Sequence, residues 1–599
     1  MKIKHIIRTV LFVALCISFN SCEDFLEKPD SAGLSKETIF TTMEDAERLL
    51  AAAYSTPPWG FPTLQNGAWN YGILNYFSSM ASLCDEADNA WKPSFHNPRY
   101  NDGLLTANEI YPFREDKWMF EFQAIRSCYL FLENVDQVQE PRPPQAYINM
   151  RKAEARAFIA QKYYKLFKRF GGLPWVPGYV ELSDEMDYTR MSVAATADSI
   201  VMLLDKAIPD LPARHEPGGF GRVNKIAAMA IKARVRLWSA SPLYNPADNE
   251  SYYPSFGQQE ILKHSSYDRN RWKVAADATK AAIDAAHAAG YALVNTGNPR
   301  QDYRTAVTGF PAIEGSGSNV QATNNTEIIW GTRLYKSYWE GQGSQRVRPY
   351  SKNNFAGGVP YVIPLQNLVD LYEMTDGSVQ PSNLYDQANP YENLDARFHE
   401  SILYHNKPFG PYTMDMTPGG DNNPGGGQFF TGYYMHKFFS EDRLTNQIQG
   451  NPDSFWPYIR LSELYLNYAE ALNEFDFNAN RTEILTYLNY VRERAGQPKV
   501  ENTPQFVNSQ EHLRERIFNE RAVELAFEEK RYLDLKRLKR GPGQIGGTMY
   551  GIAVEGTAAS PTFRRVVFEE RTFTDKWYLY PIPDNDIQKA PGLVQNPGW

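Results

Sequence analysis

Between Met43 and Gly290 the chain repeats one pattern, in which apolar and small side chains return every three or four residues. That spacing puts them on one face of a helix. Met43 to Tyr54 carries Ala46, Leu49, Leu50 and Ala53 in this way, and Asp116 to Val138 carries Phe120, Ala124, Cys128, Phe131 and Val135. Ile148 to Phe170 predicts a long helix with Ala155, Phe158, Ile159 and Phe167 inward, stopped by Gly171, Gly172 and Pro174. Further helices are predicted over Thr196 to Ile208, Lys225 to Ala240 and Trp272 to Ala289. None of these helices can bury its stripe alone, so the pattern predicts stacked helix pairs that resemble tetratricopeptide units, although the 34-residue consensus is not cleanly present. The expected fold class is therefore mainly α, with tetratricopeptide-like helix pairs, long irregular loops and a few short strands.

After Gly290 the texture changes to Gly, Ser, Asn and aromatic residues, with Glu327-Ile328-Ile329-Trp330 as the one convincing short strand. Helical patterning returns over Pro364 to Tyr372, Tyr458 to Glu474, Arg481 to Ala495 and Gln510 to Leu538. The tail reads as loop with strand-like pieces at Phe563 to Phe568 and Trp577 to Leu579.

With 62 basic and 70 acidic residues the net charge is -8, which disfavours a nucleic-acid binder. Aromatic residues make up 14% of the chain, and the 37 Tyr and 12 Trp are rings that can sit half in water. Lys2, Lys4, His5 and Arg8 precede the apolar run Thr9 to Phe19, too short for a comfortable span, so residues 1–21 read as an export signal. Cys22 follows Ser21 and opens the stretch Glu23-Asp24-Phe25-Leu26-Glu27, which resembles an acylated lipoprotein start. Phe19 and Asn20 depart from the usual lipobox, and plain secretion stays open as the alternative. Removal of the signal takes the charge from -8 to -11 and leaves Cys84 and Cys128 as the other cysteines; whether they pair stays open.

The blocks that follow carry a resemblance. Glu327-Ile328-Ile329-Trp330-Gly331, Leu368 to Met374, Asn393 to Phe398, Thr431 to Tyr434 with Lys437-Phe438, Ile459 to Ala471, Val491 to Gly496, Asn519 to Asp534, and Leu593 to Trp599 stand in order. Together with the start at Cys22 they resemble the SusD/RagB-like surface lipoproteins of Bacteroidetes over nearly the whole mature length. The resemblance implies a region of tetratricopeptide-like helices over residues 22–245 and a SusD/RagB region over 325–599, acting as one globular unit. It implies no enzyme activity and no cofactor. It implies instead capture of a glycan and its delivery to a SusC-like TonB-dependent outer-membrane transporter, from a lipid anchor at Cys22 that faces the cell exterior. Some relatives bind peptides, so a peptide-capturing RagB-type protein is the alternative, and a surface glycoside hydrolase is a second one.

The residues themselves favour binding over catalysis. Glu463, Glu470 and Arg460, and Glu520, Arg521, Glu524 and Glu528, are spaced along helices and predict ion pairs rather than the two carboxylates of a glycosidase. His-Glu-x-x-His, Gly-x-Ser-x-Gly and phosphate-loop motifs are absent from the sequence. Cys84-Asp85-Glu86-Ala87-Asp88-Asn89 offers oxygens for a calcium ion but lacks the Gly and Glu of an EF-hand loop, and no metal site is expected. Aromatic residues in loops are the better candidates, because their faces stack on sugar C–H patches while neighbouring polar groups orient the hydroxyls. Trp91 follows Asp88 and Asn89 in a polar stretch with no apolar stripe, and Tyr335, Tyr338 and Trp339 crowd a Gly- and Gln-rich one. In relatives the ligand face draws on loops in roughly these two regions. Trp59 and Trp69, in a Pro- and Gly-rich stretch, complete the candidates, whereas Trp238 and Tyr465 lie on helical stripes and belong to the core.

Overall fold

The computed structural model describes residues 39–54, 79–90, 100–104, 106–107, 118–139, 141–181, 184, 188–216, 219, 221–308, 325–334, 362–410, 412–425, 430–438 and 454–599. The predicted helices are present as α1 (Met43–Tyr54), α2 (Trp118–Asn134), α3 (Gln145–Phe170), α4 (Val193–Ala207), α5 (Lys225–Ala240) and α6 (Asn270–Ala288). They are followed by α7 (Pro299–Thr308), α8 (Leu461–Arg494), α9 (Gln510–Glu524) and α10 (Arg531–Arg537). Each of α1 to α5 packs against the next in sequence, and α8 then packs on α6 and α9 on α8. This is the stack that the apolar stripes require. The packing is close where the stripes are small: Ala227, Ala230 and Ala233 of α5 and Ala275, Ala282 and Ala286 of α6 are all buried.

Side-chain caps set several boundaries. Ser192 accepts the Ala195 N–H ahead of α4, and Ser509 accepts that of His512 ahead of α9. Helix α3 ends at Gly171, whose φ of 81° suits glycine and whose Cβ, if present, would lie 2.5 Å from the Ile261 carbonyl oxygen.

Strands are few and paired in twos among the described residues. β1 (Ala87–Asn89) pairs with β3 (Val362–Pro364), and β2 (Ile328–Leu334) pairs with β4 (Ser454–Arg460), both antiparallel. β5 (Gly547–Thr557) and β6 (Ser560–Arg571) form a long hairpin. One continuous hydrophobic cluster runs from Phe40 to Leu593 and joins the helix stack to the C-terminal half. The chain end returns to α3, where Asn596 Nδ2 donates to the Phe170 carbonyl and Arg190 to that of Val594.

The structure corrects four expectations. Trp577 to Leu579 is not a strand: Asp575–Tyr578 is a 3-10 turn that buries Trp577 edge-on against Trp599, 4.7 Å between ring centres. Gln510 to Leu538 is not one helix, because Phe527 (φ 60°) and Glu529 (φ 58°) break it between α9 and α10. Tyr458 to Arg460 ends β4 and is not helical; the two helices expected over Tyr458 to Ala495 are otherwise present, joined within α8 across a kink at Asp476, where φ is -160° and ψ is 88°. Pro364 to Tyr372 holds only one helical turn, Gln366–Val369.

Candidate functional site

The break between α9 and α10 is where the strands leading to the candidate segments are fastened. Phe527 donates its N–H to Glu86 Oε1 at 2.5 Å, just ahead of β1. Arg531 grips Asp85 through Nε and Nη2 at 3.0 and 2.8 Å, and Glu529 accepts the Met80 N–H at 2.7 Å. Arg571 donates to the carbonyls of Cys84 and Ala87 and lies 3.4 Å from the Asp88 carboxylate. Asp85 is thus held by Arg531, Glu86 Oε1 by the Phe527 N–H, and Asp88 faces Arg571, and no group of three or more His, Cys, Asp or Glu side chains converges on a metal position among the described residues.

Strand β2 is held by charge. Arg460, at the end of β4, contacts Glu327 at 2.6 Å, Glu524 at 2.9 Å and Glu528 at 2.7 Å. Arg494 joins Glu327 and Glu524, Arg397 joins Asp395, Glu520 and Glu524, and Lys437 meets Glu528 at 2.7 Å. All of these side chains are buried. Burial alone would raise the Glu524 pKa, but Arg494, Arg460 and Arg397 outweigh it and hold the carboxyl well below the usual range. Burial lowers Lys437 to about 8 despite Glu528. A second anchor comes from the helix stack: Asn224 caps α5 through Ala227 N–H and donates its Nδ2 to the Ile329 carbonyl at 3.0 Å, and Trp330 Nε1 donates to that of Gly221. The ion pairs expected for the helix carboxylates are present, and most cross between elements rather than along one helix. Glu463 meets Arg234, and Glu470 meets Arg537.

Trp91 follows the buried Ala90 at the exit of β1, and Tyr335 follows directly on β2. Trp59, Trp69, Trp91, Tyr335, Tyr338, Trp339 and Cys22 themselves lie outside the described residues. The register still relates the two segments. Asn89 pairs with Val362, so the chain leaves β1 toward Trp91 beside the point where it enters β3 at the end of the segment that began at Tyr335. Asp88 and Asn89 are 1% and 0% exposed within β1, and Asp88 Oδ1 accepts the Asn89 N–H at 2.6 Å. Cys84 and Cys128 are both buried free thiols. Trp238 and Tyr465 are buried on α5 and α8, as their stripes require.

Sequence comparison decides the lineage. Residues 326–599 match the model of the SusD family, and residues 69–237 match a second model described as starch-binding associating with outer membrane. The chain belongs to the SusD/RagB-like family. Among curated SusD-like proteins of Formosa agariphila, protein P25 is 23% identical over 545 residues, covering 90% of each chain. Protein P2 is 34% identical over 145 residues, which cover 24% of this chain and 25% of that one. Solved SusD-like structures share the fold: one from Bacteroides fragilis superposes with a TM-score of 0.73 at 23% identity, covering 94% of this chain and 98% of that one. A laminarin binding SusD-like protein gives 0.61 at 18% identity, covering 94% and 100%. The mainly α fold with few short strands is the SusD-like one. Among the described residues no helix is long and apolar enough to cross a membrane.

Two groups that hold the base of β1 were not visible in the sequence as such. Glu86 read only as an oxygen for calcium and Arg571 lies in the tail that read as loop, and the fold turns both inward, at 1% and 5% exposure.

Proposed function

We propose that this protein is a cell-surface lipoprotein of the outer membrane that captures an oligosaccharide or polysaccharide and passes it to a SusC-like TonB-dependent transporter. The observation that carries the reading is the Asn89–Val362 pairing, which starts one aromatic segment where the other ends. Trp91 on one side and Tyr335, Tyr338 and Trp339 on the other supply ring faces for sugar C–H patches, with Trp59 and Trp69 as further candidates. Asp88 and Asn89 serve this site as the buried strand that anchors Trp91. Similarity to a laminarin binding protein and to a family model described as starch-binding supports a glycan over a peptide.

The role is capture rather than catalysis. Glu463, Glu470, Glu520, Glu524 and Glu528 are each engaged by Arg or Lys, which leaves none of them as a free acid–base pair. Acylation of Cys22 tethers the chain through lipid alone.

Affinity electrophoresis of the chain from Glu23 onward against plant, host and microbial glycans tests the ligand class. Retardation by at least one glycan, with the glycan recovered uncut, is the expected result. No retardation by any glycan together with calorimetric binding of peptides would overturn it in favour of peptide capture.

A further inference from the structure

Between α3, α5 and the α9–α10 break lies a cleft of about 100 Å³, the space of about three waters or one carboxylate-sized group. Its walls combine rings with cations. Tyr164, Trp238 and Trp330 line it together with Lys168, Arg234 and Lys530.

Seven Lys and Arg side chains line this cleft against four carboxylates, Glu463, Glu528, Glu529 and Asp534. Glu528 is taken by Arg460 and Lys437, Asp534 by Arg521 and Arg537, and Glu529 accepts the Met80 N–H. Lys165, also in the wall, is met by Glu121 at 2.7 Å. Glu463 serves two cations at once, Arg234 and, at 3.5 Å, Lys530. Among the described residues the Lys168 ammonium meets no carboxylate at all, and it sits over the Tyr164 ring, 4.6 Å from its centre. Burial, and then the neighbours Arg169, Lys530, Arg234 and Lys165, push its pKa well below the lysine range. An amide points the same way: Asn467 lines the cleft at 1% exposure, its Oδ1 is taken by Arg521, and among the described residues its Nδ2 has no acceptor. A buried N–H without an acceptor and an ammonium crowded by cations are both relieved by one bound oxyanion. In a chain of net charge -8 this local cation excess is the opposite of the average surface.

We propose that the cleft binds a single anionic group, a carboxylate or sulfate, through Lys168, Lys530 and Asn467 Nδ2. An acidic sugar unit or a free small oxyanion would each supply that chemistry. The proposal does not depend on the glycan reading.

The test is titration of the chain from Glu23 onward with sodium sulfate, glucuronate and glucose at constant ionic strength, followed by tryptophan fluorescence, since Trp238, Trp330 and Trp456 line the cleft. Saturable binding of glucuronate alone assigns the site to acidic sugars, and binding of both anions assigns it to oxyanions generally; either supports the proposal, provided that glucose gives no response. Lys168→Gln should weaken the anion by about ten-fold or more, as expected for loss of a charge-assisted hydrogen bond, while Lys168→Arg retains it. Because Lys168→Gln removes one of several crowded positive charges, its melting temperature without ligand should equal or exceed that of the parent. The variant should also leave neutral-glycan binding at the aromatic segments unchanged. No saturation with either anion, or equal affinity in Lys168→Gln, would overturn the site.

Discussion

Glu86 accepts the Phe527 N–H at 2.5 Å, and Phe527 stands at a φ of 60° that few non-glycine residues adopt. The bond joins the root of β1 to the break between α9 and α10, where Glu528 and Glu529 take up Arg460 and Met80. One irregular turn therefore orders the bases of both aromatic segments, and its strain is offset by the contacts that it makes possible.

That turn gives the protein a pH signature. Burial raises the Glu86 pKa to about 8, and among the described residues its Oε2 has no hydrogen-bond partner, so burial favours the protonated carboxyl in the folded chain at neutral pH. Unfolding then releases a proton between the ordinary carboxylate pKa and about 8, and stability falls as pH rises through that window. Glu86→Gln, which mimics the protonated form, should lose this slope and melt higher than the parent at pH 8.5. Parallel melting curves from pH 5 to 8.5 for the two proteins would contradict the assignment.

The opposite sign holds for Glu463 and Asp534, both lowered to about 2: burial would raise them, but Arg234 and Lys530, or Arg521 and Arg537, outweigh it. Their contribution is present above the ordinary carboxylate pKa and is lost as pH falls through about 2. Acid unfolding monitored by circular dichroism should therefore shift to higher pH in Glu463→Gln.

Removing one partner from the buried network should cost far more than removing an exposed one. Glu524→Gln leaves Arg460, Arg494 and Arg397 short of a counter-charge and should destabilise by roughly 3–5 kcal/mol. Glu555→Gln, which loses only the exposed pair with Arg564 on the hairpin, should cost less than about 1 kcal/mol. Urea denaturation of the two variants checks the contrast.

The thiols give a third reading. Burial and the neighbouring Asp85 and Glu86 raise the Cys84 thiol, and burial raises Cys128 to about 12. Neither should react with Ellman's reagent in the native chain from Glu23 onward, and both should react in guanidinium. A single reactive thiol after unfolding, or none, would contradict two free cysteines.

The helix stack was legible because 3.6-residue periodicity records burial directly, and α1 and α5 begin and end where the stripes do. The α9–α10 break was hidden because Phe527 and Glu529 are ordinary helix residues, and only tertiary contacts force them to positive φ. The β5–β6 hairpin was half seen. Its first strand carries Gly547, Gly551 and Gly556, and Gly551 is close enough to Thr431 that a Cβ would lie 2.9 Å from that residue's carbonyl oxygen. Asp88 and Asn89 read as ligand contacts because they are polar beside a tryptophan, yet their polarity is used inward, with Arg571 facing Asp88. Glycine demands of this kind are testable too: at Gly432, with φ 88°, an added Cβ would meet the Ile552 carbonyl oxygen at 2.1 Å, so Gly432→Ala should lower the melting temperature by several degrees.

The most direct test of the central claim is isothermal titration calorimetry of a glycan identified by electrophoresis against the parent, Trp91→Ala, Trp339→Ala and the double variant. The account predicts that each single change weakens binding by about ten-fold or more with the melting temperature unchanged, as for a ring that anchors an interface. It further predicts that the two losses are not additive, because both rings serve one ligand. Full glycan affinity in the double variant would contradict it.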